Sequence, residues 1–196
     1  MKLKICLMGL LCLYFSTNAQ NNVAPPTIKI GDKMPDISLA HVINSHYKGG
    51  KLSDFKGKLI LIDFWSTHCG SCIASFPELD SLQQLFPDKL QVLLVNPYDS
   101  EKQIKLLLAR LSSWSPHKLK LPVVYQDTVI AYYFKFRTIP ACAWISPDGR
   151  LIAFTEKDQV TAANIEKILR GETVALPVKD DYAVTPNNSK QKNANP

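Results

Sequence analysis

The 196-residue chain carries a formal charge of +6, with 46% hydrophobic residues and five cysteines. That length fits one folded core with extensions better than two full domains. Its basic residues are scattered and do not run with aromatics along one face, so no nucleic-acid partner is expected.

In chain order, Lys2 and Lys4 precede an apolar run over residues 5–15, which passes into Thr17-Asn18-Ala19. This is the layout of a signal peptide over residues 1–19, cleaved after Ala19, and it predicts export to the periplasm or another extracytoplasmic space. The run is shorter than the roughly 20 residues a membrane-spanning helix needs, so no retained transmembrane helix is expected, although work close to a membrane is compatible with it. Lipidation at Cys12 is disfavoured because Leu10 and Leu11 stand where small residues are wanted. Cys6 and Cys12 leave with the peptide, and Cys69, Cys72 and Cys142 remain. Three cysteines make no disulfide framework, so an apolar core must stabilise the fold.

Residues 20–36, rich in Asn and Pro, read as a linker and lead-in loop. The domain is expected over 37–171. It begins with an amino-terminal hairpin within 37–57, with strands at 37–43 and 47–52 joined through Asn44-Ser45, and Gly49-Gly50 permits a bulge. Residues 58–65 form a nearly continuous apolar run, the pattern of a strand buried on both faces. Cys69-Gly70-Ser71-Cys72 then opens a helix whose stripe is Leu79, Leu82, Leu85 and Phe86, with a kink at Pro77 and an end at Pro87.

A second buried strand is predicted at 90–96 and a helix at 100–112, capped by Asp99 or Ser100. Residues 122–125 are too short to classify, and 127–134 suit a helix. Residues 141–145 and 151–154 flank the turn Ser146-Pro147-Asp148-Gly149 as an antiparallel hairpin. A last amphipathic helix spans 161–169, and 172–196 reads as a polar, disordered tail. The order implies an α/β domain, a central mixed β-sheet flanked by helices on both faces. Parallel strands put binding at their carboxyl ends, and Cys69 lies just past one of them.

At a helix amino terminus the free amides and the dipole stabilise a thiolate, so Cys69 is the expected acidic nucleophile. Such cysteines titrate at about 3.5–7.5 instead of about 8.5. Cys72, one turn on, is placed to resolve a mixed disulfide. A zinc site is not supported: the C-x-x-C stands alone, and His41, His46, His68 and His117 are scattered. No metal and no cofactor beyond the redox-active cysteine pair is expected.

The segment Asp63-Phe64-Trp65-Ser66-Thr67-His68-Cys69-Gly70-Ser71-Cys72 resembles the active-site strand and helix start of thioredoxins, and Arg137-Thr138-Ile139-Pro140 resembles their cis-proline segment. With Ile30-Gly31-Asp32-Lys33-Met34-Pro35-Asp36 ahead of the hairpin, residues 28–170 resemble the exported thioredoxin-like family of the TlpA/ResA type, within the redoxin/AhpC-TSA-like superfamily. The resemblance implies a thioredoxin fold with an added amino-terminal hairpin. It implies Cys69 as attacking and Cys72 as resolving cysteine, cis-Pro140 facing the disulfide, and Asp63 as the buried acid that exchanges the resolving thiol's proton. Burial in an apolar strand should raise that carboxyl's pKa. Trp65, His68, Gly70, Ser71 and Ile139 are the expected substrate-binding positions. Three positions depart from the family: His68 replaces Trp, Ser71 replaces Pro, and Ser75 stands where some exported members carry Glu. His68 is either a thiolate stabiliser or a solvent-facing residue. Cys142, in a strand of Ala, Trp and Ile, reads as a core residue.

The expected function is reduction of protein disulfides, with cysteine-containing proteins as substrates and an upstream thiol partner as electron donor. Ile139 before Pro140 resembles reducing thioredoxins. Two alternatives stand beside it. A peroxiredoxin-like peroxidase would need Pro at Ile62 and Thr at Ser66, and a Cu(I)-binding chaperone would use the two thiolates, with His68 as a further ligand.

Overall fold

The computed structural model describes residues 27–44, 50–114, 118–126 and 128–182. The expected signal peptide, the first part of the linker, His46, Gly49, His117, Asp127 and residues 183–196 lie outside the described residues. No helix among the described residues is long and apolar enough to cross a membrane.

Eight strands are described: β1 (Ser38–Leu39), β2 (Val42–Ile43), β3 (Gly50–Lys51), β4 (Leu59–Phe64), β5 (Leu90–Asn96), β6 (Val123–Tyr125), β7 (Ala141–Ile145) and β8 (Leu151–Thr155). Six of them make one sheet in the order β2-β6-β5-β4-β7-β8, and β1 and β3 pair in a separate two-stranded sheet. β4 runs parallel to β5 and β5 to β6, while β7 is antiparallel to both β4 and β8, so the sheet is mixed.

The strand at the centre explains the layering. Every residue of β4 is buried, and side chains alternate across a pleated strand. Ile60, Ile62 and Phe64 enter one core with Ile130 and Phe134, whereas Leu59, Leu61 and Trp65 enter the other with Phe76, Leu79, Ile104 and Ile165. The second face is covered by α1 (Gly70–Ala74), α2 (Phe76–Leu85), α3 (Glu101–Trp114) and α5 (Ala162–Leu169), the first by α4 (Thr128–Tyr133) and the amino-terminal sheet. Burying each of these large side chains stabilises the fold by about 1.5–3 kcal/mol, and a strand sandwiched this way is held rigidly.

Several expectations are corrected in detail. The strand expected over 37–43 splits: β1 pairs with β3, making the expected hairpin sheet, but β2 crosses to β6 at the sheet edge. Residues too short to classify by pattern form β6. The helix after Cys69 breaks at Ser75, two residues before Pro77, because proline offers no amide to the preceding turn. Leu85, expected inward, is the last residue of α2 and is 59% exposed. The 146–149 turn is as expected, with Gly149 donating to the Ser146 carbonyl at 2.8 Å and holding a φ of 86° that favours glycine.

The largest correction concerns the tail. The chain does not leave the core after Gly171: Lys179 and Tyr182 are buried, and the Lys179 amide donates to the Phe154 carbonyl at 2.8 Å. The Tyr182 ring stacks on Phe154 with centroids 4.2 Å apart, and its hydroxyl donates to the Ile28 carbonyl.

Candidate active site

β4 ends at Phe64 and the chain turns through residues 65–68 into α1, whose N-cap is Cys69. The cap is made by sulfur: Cys69 Sγ accepts from the Cys72 amide at 3.2 Å. That hydrogen bond and the helix amino terminus both favour negative charge on Cys69 Sγ once the disulfide is open. Cys69 and Cys72 form a disulfide with an S–S distance of 2.01 Å and Cα atoms 5.3 Å apart. Their exposures differ. Cys69 is half-buried and reachable, whereas Cys72 has no solvent exposure.

The loop before Cys69 is held by a residue that pattern reading took only for a possible helix cap. Asp99 is 5% exposed, and its Oδ2 accepts from the Thr67 amide at 2.7 Å and from Asn96 Nδ2 at 2.8 Å. Burial alone would raise its pKa, but these hydrogen bonds, with the neighbouring His68, outweigh burial and hold the carboxyl below its ordinary value. The α3 cap falls to Ser100, which exchanges hydrogen bonds with Gln103. His68 is a surface residue, its ring 3.2 Å from Thr67 Oγ1 and 3.9 Å from Asp99 Oδ1.

Asp63 lies in β4 on the face that carries Leu61 and Trp65, the same face onto which Cys72 packs. It is fully buried; its Oδ1 accepts from Cys142 Sγ at 3.3 Å, and its Oδ2 has no hydrogen-bond partner. Burial pushes the carboxyl from 3.8 up to about 7, against the smaller opposing effects of the Cys142 hydrogen bond and the charge of Lys157. A group with that value is half protonated near neutrality and can take or give a proton at little cost. Cys142, opposite Asp63 in the β4–β7 register, is a buried free thiol. Burial, reinforced by the neighbouring Asp63, drives its pKa far up, so it stays neutral.

The Ile139–Pro140 peptide is cis. Phe64 pairs with Ala141 in the β4–β7 ladder, so Pro140 stands beside Trp65, where β4 passes into the cysteine loop. Ile139 is partly buried against both cores, and Gly70 and Ser71 are exposed around the disulfide, with Ser71 Oγ 3.5 Å from Cys69 Sγ. Trp65 is the exception among the expected substrate-binding positions. Its side chain has no exposure and packs edge-on against Phe76 at 5.0 Å, so it supports the floor of the site instead of meeting substrate. Sequence pattern alone could not separate the two roles, because an aromatic at a strand end suits either.

A cavity of about 220 Å³ lies at the opposite end of the sheet, lined by Met34, Leu52, Ile60, Ile145 and Pro147. It has no part in this chemistry. Among the described residues no cluster of three or more His, Cys, Asp or Glu side chains could hold a metal ion.

Fold and site together define a thioredoxin-like protein with a disulfide, Cys69–Cys72, at the start of a helix. The Redoxin family pattern matches residues 29–169, and the chain belongs to that family. It is 37% identical over 82 residues to the thioredoxin-like protein YneN of Bacillus subtilis, covering 42% of this chain and 46% of that protein. It is 23% identical over 126 residues to the thiol-disulfide oxidoreductase ResA of Oceanobacillus iheyensis, covering 63% of this chain and 62% of that one. The chain thus spans about half to three fifths of the length of these curated relatives. The thioredoxin domain of a thiol-disulfide oxidoreductase of Bacteroides vulgatus has the same fold, with a TM-score of 0.53 at 22% identity over 74% of this chain and 99% of that domain.

Proposed function

We propose that this protein is an extracytoplasmic thiol-disulfide oxidoreductase that reduces protein disulfides. The observation that carries the reading is the asymmetry of the pair: a reachable Cys69 at a helix amino terminus and a Cys72 wholly out of solvent. An incoming disulfide meets only the first sulfur.

In the reduced form, the Cys69 thiolate bonds to one sulfur of the substrate disulfide. The substrate S–S bond breaks, and the departing sulfur leaves with the electron pair and takes up a proton. Cys72 then gives its proton to Asp63 and attacks Cys69 Sγ. The bond between Cys69 and the substrate breaks, and the second substrate sulfur leaves as a thiolate that recovers that proton. The substrate gains two electrons and two protons, and the enzyme is left as the Cys69–Cys72 disulfide. A dithiol partner must restore it, because an extracytoplasmic compartment is oxidising. Extracytoplasmic location rests on the leader pattern of residues 1–19.

The test is mixed-disulfide trapping with Cys72→Ser, in which the second step is blocked and Cys69 stays joined to its substrate. Recovery of a DTT-sensitive adduct that Cys69→Ser abolishes supports the reading. A reduction potential of the Cys69/Cys72 couple near the strongly oxidising extreme of about −120 mV would remove the reductase direction.

A further inference from the structure

Beyond the family match, the described residues 170–182 reach the loop that carries cis-Pro140. Asp181 Oδ2 accepts three hydrogen bonds there, from the Arg137 amide at 3.0 Å, the Thr138 amide at 2.8 Å and Thr138 Oγ1 at 2.7 Å. Its other oxygen lies 3.7 Å from Lys179 Nζ. Lys179 is itself buried and paired with Glu156, and its amide is bonded to β8. Tyr182, next in the chain, is anchored on Phe154 and Ile28. Asp181 is therefore fixed from both sides before it meets the loop.

The loop needs such a partner. Residues 135–140 form no regular structure, and Arg137 and Thr138 are exposed, so their amides have no ladder or helix to join. Phe136 anchors one end among Phe64 and Phe154, and β7 anchors the other from Ala141. Between these anchors, one carboxylate oxygen gathers two backbone donors and a hydroxyl. Charge-assisted hydrogen bonds of this kind are about twice as strong as neutral ones.

We propose, resting on the function above, that Asp181 is a positioning residue for substrate engagement: the 179–182 segment is a strut that sets the loop bearing Ile139 and cis-Pro140, where an extended polypeptide substrate meets the enzyme. A small disulfide needs only Cys69 and is indifferent to that loop. The strut therefore bears on the recognition of proteins and leaves sulfur exchange alone.

The test compares reduction of insulin with reduction of a small aromatic disulfide by the full chain, recycled by dithiothreitol, in wild type, Asp181→Ala and Asp181→Asn. The expected result for Asp181→Ala is a KM for insulin raised about tenfold, with turnover of the small disulfide within about twofold of wild type. Asp181→Asn, which keeps one acceptor oxygen, should fall between the two and guards against misfolding of the alanine variant. Amide hydrogen exchange at Thr138 should quicken in the same order. Parallel losses on both disulfides, or an unchanged insulin KM while the Thr138 amide is released, overturn the proposal. If the wild type reduces neither disulfide, the underlying function fails, and with it this role. That outcome is distinct, because the variants then have no activity to separate.

Discussion

Replacing Asp63 by Asn should flatten the pH dependence of stability of the oxidised protein. Asp63 has a folded pKa of about 7 against an ordinary 3.8, because burial disfavours its charge. Between those values the folded protein binds a proton that the unfolded chain has released. Stability from this group is therefore greatest below about pH 4, declines as pH rises, and is fully lost above about pH 7. Integrating the two titrations between about pH 5 and about pH 8 gives a loss on the order of 2–3 kcal/mol in wild type that the Asn variant lacks. Cys69 and Cys72 do not titrate while joined, and Cys142 stays neutral throughout, so the thiols add nothing to the difference. Urea unfolding of both proteins across that interval measures it directly. Any constant cost of burying the new amide cancels, since only the slopes are compared. Parallel profiles for the two proteins would refute the assignment of a buried, proton-holding carboxyl in β4.

Other outcomes follow from neighbouring contacts. Cys142→Ala removes the hydrogen bond that lowers the Asp63 pKa, so the wild-type loss of stability should shift to higher pH; an unmoved midpoint would show that the sulfur contact has no influence. Asp99→Ala leaves the part-buried Thr67 amide and the buried Asn96 side chain without their acceptor and should cost about 1–3 kcal/mol, read by chemical denaturation, while slowing alkylation of reduced Cys69 as the preceding loop loosens. Tyr182→Ala deletes a nearly buried ring from the Phe154 stack and should destabilise the protein by about 3 kcal/mol, a loss that a truly unstructured tail would not produce.

The parts of the fold that were legible in the sequence are those written in local pattern. The five apolar residues of β4 announce burial on both faces, and the cysteine pair with its following apolar stripe announces the helix. The parts that were not legible depend on distant partners. Val42 and Ile43 are too few to reveal whether they join β3 or β6, and only the assembled sheet offers them Val123 and Val124. Asp99 looks like a helix cap because a carboxylate before a helix commonly is one. Its true partner, Thr67, is 32 residues away. The segment through Tyr182 lacks periodicity because it is held by a single ring, a buried ammonium and backbone bonds, and none of these leaves a repeating trace. Trp65 reads from the sequence both as a core or rim aromatic and as a substrate-binding position, and its packing on Phe76 puts it in the core.

The six-stranded sheet has two edge strands, β2 and β8. At one side β2 is only two residues long. At the other, the Gly31 amide donates to the Leu151 carbonyl, the Leu151 amide to the Asp32 carbonyl, and the Lys179 amide to the Phe154 carbonyl. Unpaired strand margins template the addition of foreign strands. With those backbone groups of β8 already engaged and β2 so short, neither flank of the described sheet presents a long row of free backbone groups for a foreign strand to adhere to.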